Sequence, residues 1–156
     1  MLFYYIEMFK KYTFSRFKPY LKEINSPICS CGGHILSLVT GISLKHIHNI
    51  HPKNDDWRHE FMESFLKLSG YNLKLIPNDF YLRRRGFNHV FSPNHLLILV
   101  MAIDKKMSTW SCAYKGKVYH GGSPFEDMNP SEIFLNYPIE LMWICYPDKS
   151  VRRGKR

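Results

Sequence analysis

The hydrophobic pattern of this chain changes period as it proceeds. Between residues 2 and 24 aromatics are interleaved with lysines, which fits an amphipathic helix that Pro19 breaks or ends. Asn25-Ser26-Pro27 marks a break before a new element. From Gly32 to Val39 the apolar residues Ile35, Leu36, Leu38 and Val39 predict a mostly buried helix, closed by Gly41. Residues 44–54 are polar and histidine-rich and read as a solvated loop running to Pro52. An amphipathic helix follows, capped by Asn54 or Asp55 and ended by Gly70, with Trp57, Phe61, Phe65 and Leu68 on one face.

The period then shortens. Tyr71–Ile76 alternates as a strand, and residues 77–94, with two prolines and Arg83-Arg84-Arg85-Gly86, read as an irregular loop. Leu96–Ile103 is a continuous apolar run, the pattern of a strand buried on both faces. Trp110–Tyr114 and Lys117–Tyr119 flank Lys115-Gly116 as a hairpin, Ser131–Phe134 suggests a short helical turn, and Ile139–Tyr146 a last strand. Helices first and an antiparallel sheet afterwards predict an α+β fold.

Composition narrows the picture. At 156 residues, 45% hydrophobic and 15% aromatic, the chain suits one domain with a real core and is not a disordered one. The formal charge of +9 invites a polyanion-binding reading. However, residues 1–24 hold 5 basic and 2 acidic groups and residues 148–156 hold 5 and 1, leaving a body of 12 against 10. The organisation read from this is a basic segment 1–24, a domain 25–147 and a basic tail 148–156. Four cysteines, no secretory pattern at the start and no apolar run long enough to cross a bilayer lead to the expectation of a soluble, cytoplasmic protein without a membrane span.

Candidate chemistry centres on Cys31. A thiolate is favoured at the start of a helix, where free N–H groups and the macrodipole stabilise an anion, and beside an imidazole that accepts the proton. Cys31 precedes by one residue the helix predicted from Gly32, and Gly32 and Gly33 permit close approach of substrate and backbone. His95, at the mouth of the buried strand, is the expected general base and acid.

The segment Cys31-Gly-Gly-His-Ile-Leu-Ser-Leu-Val-Thr-Gly-Ile-Ser43 resembles the nucleophile helix of papain-like cysteine peptidases. It is closest to the peptidase domains that cleave double-glycine leaders and their phage and bacterial relatives, through Cys31-Gly32, Leu36, Thr40 and Gly41. Asn25, six residues before the cysteine, matches the amide position of that family's oxyanion hole. Asn94-His95 and the following apolar strand match its histidine strand. The resemblance implies a papain-like α+β fold, with the nucleophile at the start of a buried helix that packs on a C-terminal antiparallel sheet. It also implies hydrolysis of a peptide or isopeptide amide by Cys31, His95 and Asn25, without cofactor or metal. Gly32, Gly33 and Asn94 would line the substrate. The family's third catalytic position, an Asp or Asn, aligns with His120, which supplies no negative charge; Asp104, Asp127 and Asn94 are the substitutes in reach of the argument.

Other readings stand beside this one. Cys29 is a rival nucleophile. Cys29, Cys31 and His34, with Cys112 or one of His46, His48 and His51, form a weak zinc pattern. Cys112 and Cys145 read as core residues, and Arg83–Arg85 as a loop or a phosphate grip. Three functions follow: a cysteine hydrolase acting on a protein or peptide substrate, a catalytically inactive papain-like fold that binds protein, and a basic nucleic-acid binder.

Overall fold

The structure, a computed structural model, describes residues 19–21, 31–52, 57–76, 94–120 and 136–148; for Cys31 and His120 it describes the backbone alone. Asn25, Cys29, Arg83–Arg85, Asp127, the Ser131–Phe134 turn, most of segment 1–24 and nearly all of the basic tail lie outside the described residues.

Three helices precede the sheet. The first, α1 (Cys31–Thr40), buries Ile35, Leu36, Leu38 and Val39 almost completely. Its end is set by Gly41, whose φ of +77° suits glycine and whose N–H donates to the Ser37 carbonyl at 2.9 Å. Tyr20 closes over that turn, its N–H donating to the Val39 carbonyl at 3.1 Å. Residues 44–50, expected in a loop, instead form α2 (Leu44–Ile50). Ser43 caps it by accepting from the His46 N–H at 3.2 Å, and Leu44 and Ile47 anchor it one helical turn apart. The third helix, α3 (His59–Leu68), starts later than its sequence signals suggest, with Arg58 at the cap position. Met62 and Leu66 are its fully buried residues, Phe61 and Phe65 are half-buried, and Leu68 is 91% exposed. The apolar stripe is therefore turned from the expected one, because Trp57 precedes the helix and does not set its phase.

The sheet is five-stranded and antiparallel throughout, in the order β1-β5-β2-β3-β4. The strands are β1 (Tyr71–Leu75), β2 (Leu96–Ala102), β3 (Ser108–Tyr114), β4 (Lys117–His120) and β5 (Ile139–Pro147). The turn between β3 and β4 has positive φ at both Lys115 (51°) and Gly116 (75°), the geometry a two-residue hairpin needs. Strand β2 is central and buried along its length. Leu96, Ile98 and Val100 join the helices' core cluster; Leu97, Leu99 and Met101 alternate with them and are equally buried outside it. Each such side chain stabilises the fold by roughly 1.5–3 kcal/mol relative to exposure, which explains the uninterrupted apolar run.

Two contacts give the helices their direction. At one end Gly32 lies against Trp57, whose carbonyl accepts from the Trp110 indole N–H at 2.9 Å, near the close of β2. At the other, the Val39 carbonyl accepts from the Tyr71 hydroxyl at 3.1 Å, where β1 begins. Helix α3 likewise leaves from His59, stacked on Trp143, and leads to Tyr71. Helix α1 packs on β3 and β4 and against α3, and α3 packs on β1. No helix among the described residues is long and apolar enough to cross a membrane.

Candidate functional site

Cys31 is the first residue of α1. A Cβ on the next residue, Gly32, would stand 2.7 Å from the Trp57 Cβ, a distance that no real contact tolerates. Gly32 therefore has a packing reason to be glycine: the Trp57 indole occupies the place where a side chain would be. Gly33 is buried in the same turn.

Trp57 is one wall of an open cleft of about 420 Å³ between the first turn of α3 and the sheet. Trp110, Val100 and Leu141 supply its apolar surface; Arg58, His59, Glu60 and Ser108 form its rim. His59 Nε2 lies 3.1 Å from Glu60 Oε1, and Ser108 donates to Glu140 at 2.9 Å. The volume falls in the range of pockets that hold small molecules or peptide side chains.

The aromatic residues around Trp57 are ordered by each other. The His51 ring lies 4.3 Å from the Trp57 ring and stacks on Phe61 at 4.6 Å, while Trp110 stacks on Trp143 at 5.4 Å. His51 follows α2, its N–H bonded to the Ile47 carbonyl at 2.9 Å, and its ring is half-buried. The sequence placed His51 in a solvated loop; the Ser43 cap and the Leu44/Ile47 spacing were the signals for α2.

His95 is 4% exposed and immediately precedes β2, with Asn94 exposed beside it. His120 does not join His95. It pairs with Ser111, which pairs with Leu99, so His120 is four residues along β2 from His95 and two strands away. At ~3.3 Å per residue and ~4.8 Å per strand, the two Cα atoms are roughly 16 Å apart. Asp104 sits past the far end of β2, where its carboxylate accepts the N–H groups of Lys106 at 2.7 Å and Met107 at 2.8 Å. It closes the β2–β3 turn.

Cys112 and Cys145 are buried thiols, and desolvation pushes both far above the ordinary thiol range; proximity to Cys112 adds to the effect on Cys145. Neither has the character of a nucleophile. Among the described residues no three His, Cys, Asp or Glu side chains gather as metal ligands. His34, proposed for a zinc set, is buried within α1. No protein-family model and no curated protein matches this chain.

Proposed function

We propose that the protein is a cysteine hydrolase that cleaves a peptide or isopeptide amide with Cys31 as nucleophile. The observation that carries this reading is the position of Cys31 as first residue of an otherwise buried ten-residue helix, separated by one indole from an open cleft. The start of a helix favours a thiolate over a thiol through the macrodipole, and the Cys31 backbone N–H is proposed to hold the oxyanion that forms when the carbonyl is attacked. Asn25 is proposed to add a side-chain amide to that hole, as the papain-like resemblance implies. The finer assignment of a papain-like fold is part of the same proposal.

The test is labelling by a thiol-directed peptide electrophile. The wild-type protein is expected to be labelled at Cys31, and Cys31→Ala to lose the label while its unfolding transition is preserved. Labelling that survives Cys31→Ala and vanishes with Cys29→Ala would transfer the role to Cys29.

A second reading is favoured by one observation, His120 at the position where the resemblance calls for an Asp or Asn. In it the chain is an inactive relative of cysteine hydrolases that binds a protein. An unlabelled Cys31, together with saturable binding of a protein partner, would select that reading.

A further inference from the structure

The beginning of a helix is held by fewer bonds than its middle, because its first N–H groups have no partner within the helix, and helix ends fray. In α1 that weak turn also carries Gly32-Gly33, and glycine is among the poorest helix formers. The electrostatic benefit of a helix start to an anion falls off within the same turn. What Cys31 gains from its position therefore depends on what keeps residues 31–33 helical.

The structure sets an indole against that turn. An ideal Cβ at Gly32 would stand 2.5 Å from Trp57 Cδ2 and 2.7 Å from Trp57 Cβ, so the Gly32 backbone rests on the base of the Trp57 side chain. Trp57 is in turn fixed from three sides. Its carbonyl accepts from the indole N–H of Trp110 on β3 at 2.9 Å. The His51 ring lies 4.3 Å from its own ring, and Phe61 of α3 meets it edge-on at 5.6 Å. The last turn of α1 is held separately, by the Tyr71 hydroxyl on the Val39 carbonyl at 3.1 Å.

We infer that Trp57 is a positioning residue for Cys31: packed on Gly32 and anchored to β3, it holds the first turn of α1 helical and so keeps the thiolate favoured. The inference rests on the hydrolase reading. Packing and local propensity make opposite demands at Gly32. Alanine is the better helix former, so propensity alone would let Gly32→Ala preserve the thiolate. The new methyl group meets Trp57, so packing requires Gly32→Ala to weaken it.

The experiment measures the rate of Cys31 alkylation by iodoacetamide against pH in a Cys29→Ser background, by mass spectrometry of the peptide that carries Cys31. Every variant is first shown to be folded by its unfolding transition. Among the described residues, α1 and the elements packed on it carry His34, then Lys45, His46 and His48 on α2, with His51 after it. Arg58, His59, Glu60, Glu63 and Lys67 lie at or on α3, Cys112 and Tyr114 on β3, and Lys117, Tyr119 and His120 on β4. None of these groups is replaced in any variant.

Alkylation in the background protein is expected to remain fast into mildly acidic solution. Trp57→Phe, which keeps a smaller ring, is expected to slow it at least ~5-fold near pH 6 and move the inflection toward the ordinary thiol range. Gly32→Ala, which disturbs the same contact from the other side, is expected to shift the profile in the same direction. Tyr71→Phe, which releases only the last turn of α1, is expected to leave rate and inflection in place. An unchanged profile in either folded variant of the Gly32–Trp57 contact would overturn the inference and leave the hydrolase reading standing, as would an equal loss in Tyr71→Phe. An ordinary thiol profile in the background protein itself would overturn both.

Discussion

Two regions of this molecule are built from the same helices and strands but hold different chemistry. Where α3 begins, Trp57, Trp110 and His59 line an open cleft, and Gly32, His51 and Trp143 pack against those rings. In the second region, His95 is buried beside the first residues of β2, and the Tyr71 hydroxyl ties β1 to α1. Cys31 adjoins the first region through Gly32, which packs on Trp57. The difference between the regions is one of access: an open cleft at Trp57 and a buried imidazole at His95.

The sharpest way to break the comparison is to remove Trp57, which is 8% exposed and joins α1, α3 and the sheet at the cleft end. Trp57→Ala is expected to cost about 3–5 kcal/mol in denaturant unfolding. A cost below 1 kcal/mol would mean that the indole does not organise this end. Next comes Gly32→Ala, whose new methyl meets the backbone-proximal atoms of Trp57 and not the far end of a flexible chain. About 1–3 kcal/mol of destabilisation is expected by the same measurement, as for other overpacked sites. Asp104→Ala loosens the β2–β3 turn by removing an acceptor for two N–H groups, and about 1 kcal/mol is expected. Because Asp104 is bound to its turn, that variant should not alter the pH dependence of Cys31 alkylation.

The smallest effect concerns the two buried thiols. Burial raises the Cys112 and Cys145 pKa values in the folded state, so folding holds their protons where the unfolded chain would release them. Their contribution to stability is complete below the unfolded thiol pKa, ~8.5, and declines as pH rises above it. Unfolding free energies at pH 7 and 9.5 should therefore differ less in a Cys112→Ala/Cys145→Ala protein than in wild type. An undiminished difference would assign the alkaline loss to other groups.

Much of the fold is legible in the sequence where one physical signal dominates. The Leu96–Ile103 run emerges as β2 (Leu96–Ala102), and Lys115-Gly116 as a positive-φ hairpin turn. Gly41 closes α1 as expected from its freedom to adopt positive φ. Helix α2 was hidden because its three histidines mask the short Leu44/Ile47 spacing, and at seven residues it depends on packing more than on local propensity. The candidate site was less legible for a related reason. Position in a helix is a local property, and Cys31 at the start of α1 follows from its glycines and the apolar run. Which elements surround it depends on how α1 sits on the sheet, set by the distant partners Trp57–Trp110 and Val39–Tyr71. No local pattern encodes that placement.

The most direct test of the central claim, that Cys31 is a nucleophile, is labelling by a thiol-directed peptide electrophile, read by mass spectrometry of the peptide that carries Cys31. In a Cys29→Ser background the probe is applied with and without Cys31→Ala, each protein shown to keep the native unfolding transition. The account predicts a label at Cys31 that Cys31→Ala abolishes; an unlabelled Cys31 in the folded background protein would contradict it.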